Sequence, residues 1–127
     1  MNLLVDTNAL YWWLNEPSRL TRKAEAAITD KSNSVFISAI VPWELAIKTR
    51  LGKMKAERLL EMWDDKVGAE RFSDLSIDSA NSIRAGLLPL HHRDPFDRML
   101  AAQAQATGWA IVSADEIFDL YGVQRIW

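Results

Sequence analysis

The feature that most constrains this chain is a set of apolar runs too short to be helices, separated by longer stretches with helical spacing. Leu3-Leu4-Val5, Val35-Phe36-Ile37 and Ala110-Ile111-Val112 are three residues each. They read as buried strands, because an apolar run of strand length bounded by polar breaks has no polar face to give to water. A short strand is predicted over residues 72–75 and a last one over 123–126. Between them, apolar residues recur at helical intervals. One helix is expected from about Ala9, closed by Glu16-Pro17-Ser18, and a second carries Leu20, Ala24, Ala27 and Ile28 as far as Asp30, before a turn over 31–34. A third begins at Ser38, with Pro42 in its first turn and Gly52 ending it. Further helices are predicted over about 56–66 and over 77–86, followed by a loop over 87–93. Asp94 opens a long helix that runs to Thr107 and stops at Gly108, and a short helix is expected over 116–120. Strands alternating with helices imply right-handed crossovers and a parallel sheet covered on both faces, an α/β architecture.

Length and composition narrow the function. With 127 residues, 49% hydrophobic and 25% charged, the chain has the profile of one folded domain spanning residues 1–127. It contains no cysteine, which excludes disulfides, thiolate metal ligands and cysteine nucleophiles and points to the cytoplasm. No stretch has the length of a membrane span, and the early apolar runs lack the flanks of a secretory leader. The formal charge of −2 argues against a protein that coats nucleic acid by bulk positive charge, so any such contact must be local.

Acids stand where a parallel sheet places its ligands, beyond the carboxyl ends of strands. Asp6 follows the first run directly, and Asp115 follows Ala110-Ile111-Val112 after Ser113 and Ala114. Each has a simpler reading as a helix cap, as does Asn8. Asp94-Pro95-Phe96-Asp97 has the spacing of a cap and its third-position acid, so Asp94 reads as the cap, and Asp97 serves as a first-turn acid with or without a ligand. Glu44 is the most telling residue, since Ile40, Ile47 and Leu51 place it on the apolar stripe of its helix. An ion pair with Lys48 one turn on suits an exposed position; a cation shared by several acids explains a core-facing one better. Four acids gathered in one place repel each other unless a divalent ion compensates, and an all-oxygen donor set favours Mg2+ or Mn2+ over zinc. Phosphodiester hydrolysis is the reaction class such a site supports.

The same residues resemble a known family. Asp6-Thr7-Asn8-Ala9-Leu10 with Trp12-Trp13-Leu14, Trp43-Glu44-Leu45-Ala46-Ile47-Lys48, Leu88-Pro89 with His92-Arg93-Asp94-Pro95-Phe96-Asp97-Arg98, and Ser113-Ala114-Asp115 are similar, in order, to the motifs of PIN-domain ribonucleases, and most of all to VapC-like toxins of type II toxin-antitoxin pairs. The resemblance implies a three-layer α/β/α sandwich with a mostly parallel central sheet, metal ligands at Asp6, Glu44, Asp97 and Asp115, single-stranded RNA as substrate, a homodimer and a cognate antitoxin that blocks the acidic groove. Asn8 stands where many relatives have histidine and Ser113 where threonine is common; both keep hydrogen-bonding side chains.

Other residues carry two readings each. Lys48, Arg50 and Lys53, with Lys55 and Arg58, either hold RNA phosphates or form a solvated face. Trp12, Trp13 and Trp43 stack bases or, the simpler expectation, pack the core or a dimer interface. His91 and His92 lack the partners of a zinc site and read as loop residues orienting Asp94 or its helix. Arg98 contacts phosphate or pairs with an acid. Two rival functions stand beside the nuclease: phosphoryl transfer through an aspartyl nucleophile, which wants a second aspartate where Asn8 stands, and a non-catalytic protein-binding module.

Overall fold

The structure, a computed structural model, describes residues 1–127. Five strands form one sheet, parallel throughout: β1 (Asn2–Val5), β2 (Ser34–Ser38), β3 (Ser73–Leu75), β4 (Ala110–Val112) and β5 (Arg125–Ile126), in the order β3-β2-β1-β4-β5. The chain builds outward from β1 to β3 and then returns past β1 to lay down β4 and β5. Strand order therefore reverses between β1 and β4, the place where an open parallel sheet leaves a crevice beyond its carboxyl ends. Leu3, Leu4 and Val5 point to alternate faces, yet all are fully buried, so both faces of the sheet are covered.

Seven α-helices supply the cover: α1 (Thr7–Asn15), α2 (Arg22–Thr29), α3 (Ile40–Arg50), α4 (Glu57–Glu61), α5 (Trp63–Ala69), α6 (Ser79–Leu87) and α7 (Pro95–Thr107). Two 3-10 turns, Pro17–Arg19 and Glu116–Tyr121, complete the element list. Helix α3 packs against both α1 and α7, which brings Glu44 of α3 near the start of α1 and the first turn of α7.

Local chemistry explains most element ends. The Asp6 carboxylate, and not Asn8, accepts the Ala9 amide at 2.8 Å, so α1 starts at Thr7, two residues before its expected start. Asp94 caps α7 through the Phe96 amide at 2.8 Å, and Pro95 takes the first helical position, where its missing N–H costs nothing. Asp115 caps the turn that follows β4 through the Ile117 amide at 3.0 Å. The helix expected over 56–66 is broken at Met62 into α4 and α5. Neither proline nor glycine marks the break; the Met62 and Lys66 amides bond the carbonyls of Arg58 and Met62 at 3.1 and 2.9 Å on either side of it, and the helical ladder is interrupted between them. The last strand is shorter than expected, because Gly122 turns the chain at φ 69° just before it.

Gly108 ends α7 with φ 72°, and a Cβ there would meet no heavy atom within 4 Å. Only backbone strain opposes a side chain at this position. Gly108→Ala should therefore cost about 1 kcal/mol of unfolding free energy, read from the urea midpoint; an unchanged midpoint would contradict the left-handed cap.

Candidate metal centre

Asp6 leaves the end of β1, and its amide still bonds the Val112 carbonyl of β4 at 3.2 Å. Strand pairing thus carries this carboxylate to the crevice at the strand-order reversal. It is 6% exposed. One oxygen accepts the Ala9 amide and the other accepts the Ser113 hydroxyl at 2.5 Å. The Ser113 oxygen also accepts the Asp115 amide at 3.0 Å, so one serine ties the β1 acid to the loop after β4. Burial pushes the Asp6 carboxyl up to about 6; the Ser113 and Ala9 hydrogen bonds oppose the shift, and the charges of Glu44 and Asp115 add to it.

Glu44 is 2% exposed. It shares the buried face of α3 with Ile40, Val41 and Leu45; Leu51, expected on that stripe, lies past the helix end and is exposed. Thr7 donates its hydroxyl to Glu44 Oε1 at 2.5 Å. Lys48 Nζ stands 2.5 Å from Oε2. The Glu44–Lys48 pair set aside in favour of a shared cation is thus made, because the lysine reaches the buried carboxylate from the partly open side of the helix. Partial burial alone would lower the Lys48 pKa, but the hydrogen bond and charge of Glu44, with the charges of Asp94 and Asp97, outweigh it and raise it.

Asp97 sits in the first turn of α7. Its carboxyl is pushed up to about 7, by burial first and then by the charges of Asp94, Asp6 and Glu44, with His92 pulling the other way. The His92 ring lies between two acids: Nε2 is 2.9 Å from Asp97 Oδ2 and 3.4 Å from Asp115 Oδ2. Its Nδ1 accepts the Asp94 amide at 3.1 Å, which leaves the Nε2 proton facing the carboxylates. His92 therefore orients the Asp94 loop, as expected of a loop residue, and also joins the acids. His92, Asp94 and Asp97 each place one donor atom within 4.8 Å of the others.

The fold thus brings Asp6, Glu44, Asp97 and Asp115 to one place, with Asp94 and Ser113 beside them. Asn8 does not join them: it is exposed, and the inward hydroxyl is that of Thr7. Arg98 pairs with no acid. It is 8% exposed, and its guanidinium donates to the carbonyls of Pro89, His92, Ala85, Gly86 and Leu88 at 2.9–3.2 Å. It clamps the loop that carries His92, which no spacing argument reveals. Trp12 and Trp13 pack against the core, whereas Trp43 is 59% exposed, edge-on to Phe96 at 5.3 Å. Arg50 and Lys53 are exposed, and His91 stacks edge-on against Tyr121.

Chemically, these are oxygen donors whose charged forms disfavour one another, and the donor set suits a hard divalent ion. The sign of the pH dependence follows. Asp6 and Asp97 titrate near 3.8 when unfolded and at about 6 and about 7 when folded. The folded chain holds protons that the unfolded chain has released, so their contribution to stability is full below 3.8 and is lost as pH rises through the folded values. The metal-free protein should therefore melt at a lower temperature at about pH 8 than at about pH 5, and saturating Mg2+ should restore much of the difference at about pH 8. Asp97→Asn should gain on the order of 1 kcal/mol over wild type at about pH 8 without added ion. Thermal scans with and without chelator check both; a melting temperature that rises steadily to pH 8 would contradict them.

Comparisons with known proteins agree with this fold. The family model described as PIN domain matches residues 3–123. Ribonuclease VapC22 of Mycobacterium tuberculosis is 30% identical over 114 residues, covering 89% of this chain and 86% of that protein. Among solved structures, DNA-bound VapBC from Salmonella typhimurium superposes with a TM-score of 0.71 at 21% identity, covering 98% of this chain and 96% of the other. VapBC2 from Rickettsia felis, bound to a DNA fragment from its promoter, gives 0.70 at 17% identity and covers both chains completely. The fold, the order of the motifs and the match over nearly the whole length lead to one conclusion: the chain belongs to the PIN-domain family.

Proposed function

We propose that this protein is an endoribonuclease dependent on Mg2+ or Mn2+, acting as the toxin of a toxin-antitoxin pair that blocks translation. The observation that carries the reading is the convergence of Asp6, Glu44, Asp97 and Asp115, linked by Ser113, Thr7 and His92, at the point where strand order reverses, where burial and mutual charge raise the carboxyls of Asp6 and Asp97. Strongly displaced groups converging on a crevice are the mark of a working site. The similarity to a ribonuclease of the same family supports RNA as the substrate.

In this reading Asp6, Glu44, Asp97 and Asp115 hold the ion, with Asp94 as an outer acid. When bound, such an ion supplies positive charge against the scissile phosphodiester and makes water more acidic. The chain's own groups fix the ligands. Ser113 and the Ala9 amide lock both oxygens of Asp6, Thr7 orients Glu44, and His92 spans Asp97 and Asp115. Lys48, Arg50 and Lys53 line α3 and its C-terminal turn and take RNA phosphates. Asp6 is poorly placed as a covalent nucleophile, since both its oxygens are bonded and it is buried, which weighs against phosphoryl transfer through an aspartyl intermediate.

The partners follow from the same surface. The VapBC neighbours are complexes of related fold, which supports a cognate antitoxin here. Exposed Trp43, Ile83, Leu87 and Leu90 supply apolar surface for a homodimer or the antitoxin. No helix is long and apolar enough to cross a membrane, in keeping with a cytoplasmic site of action.

The direct test compares Mg2+-dependent cleavage of single-stranded RNA by wild type and Asp97→Asn, with folding checked by circular dichroism. The expected result is cleavage lower by about 100-fold or more with the fold kept. Equal cleavage by the two proteins would remove Asp97 from the site.

A further inference from the structure

We infer that Lys48 is a tethered counter-ion of the metal-free site, and that a divalent ion enters by displacing its ammonium from Glu44. The inference rests on the proposed metal reading and adds to it how the site exists without metal. Both oxygens of Glu44 are already engaged, Oε1 by the Thr7 hydroxyl and Oε2 by Lys48 Nζ, each at 2.5 Å. The carboxylate is 3% exposed and the lysine side chain 30%, so the ammonium covers the Glu44 carboxylate from its solvent side. No other lysine or arginine makes an ion pair with Asp6, Glu44, Asp97 or Asp115.

Thr7 and Lys48 differ in what they allow. A neutral hydroxyl bonded to Oε1 is compatible with a dication on the other oxygen. An ammonium on Oε2 is not, because hard divalent ions bind carboxylate oxygens at about 2.0–2.6 Å, and two cations on one oxygen repel strongly where burial excludes water. Lysine is the residue able to yield. Its charge sits on a flexible stem and is well hydrated once released, and Lys48 is already partly exposed. Held one turn from Glu44, the released ammonium stays at the mouth of the site, where an incoming phosphate meets it.

The first experiment acylates the intact protein with an amine-reactive ester and measures each lysine by mass spectrometry, with and without Mg2+. Lys48 should react slowly in the metal-free protein and about tenfold faster with saturating Mg2+, as an ion pair of this depth is released, while the exposed Lys23 and Lys31 stay unchanged. The second measures Mn2+ affinity by calorimetry. Lys48→Met should bind about tenfold more tightly than wild type, and Lys23→Met, which removes the same charge from the exposed face of α2, should stay within about twofold. Mn2+ that binds wild type without altering Lys48 acylation would overturn this inference and leave the metal site standing. Failure of Mn2+ to bind wild type and Lys48→Met alike would overturn both.

Discussion

Mutual repulsion among acids is the constraint on which the rest of this structure depends. Asp6 comes from the end of β1, Glu44 from α3 and Asp97 from the first turn of α7, with α3 packed against both α1 and α7, and burial deprives them of the water that would screen their charges. Folding alone compensates them incompletely. Hydroxyls of Thr7 and Ser113, backbone amides, one imidazole and one ammonium share the task. Two carboxyls still titrate far above their ordinary range. A protein can carry such a deficit at a place where binding something positive is the purpose.

The same side chains serve architecture and chemistry together, and this is economical for so short a chain. Asp6 caps α1, Asp94 caps α7 and Asp115 caps the turn after β4. A cap places a carboxylate at the positive end of backbone dipoles. That helps the acid remain charged inside the fold, and it fixes its oxygens before any ligand arrives. Capping and ligand roles, which compete as explanations when each residue is read alone, are therefore compatible. Arg98 works at one remove. By bonding two carbonyls in the last turn of α6 and three of the loop before α7, it holds the segment from which His92 reaches Asp97 and Asp115.

Much of this was legible in the residues themselves. The runs at Leu3-Leu4-Val5 and Ala110-Ile111-Val112 are continuous because both faces of a central parallel strand are buried, and Asp94-Pro95 with Gly108 marks both ends of α7 by turn and cap chemistry. Three of the acids likewise declared themselves by standing at strand ends or on an apolar helical stripe, whereas Asp97 read only as a first-turn helix acid until the family resemblance singled it out. What could not be read depends on side-chain direction across distant segments. Thr7 rather than Asn8 faces inward because the Asp6 cap starts α1 earlier, which rotates that whole turn. The inward course of Arg98 depends on carbonyls at the end of α6 and in the following loop that turn toward its guanidinium. The reach of Lys48 to Glu44 depends on how deeply α3 sinks between α1 and α7, which periodicity does not report. The break at Met62 has no residue signal in the sequence at all.

The central claim is that these carboxylates form one cation site at the reversal of strand order. The measurement that tests it most directly is an anomalous-scattering map from crystals grown with Mn2+ near neutral pH. The account predicts a single strong peak or a close pair of peaks bounded by the carboxylates of Asp6, Glu44 and Asp97, with Lys48 Nζ withdrawn from Glu44. Manganese bound only elsewhere on the surface, with Lys48 still seated on Glu44, would contradict it.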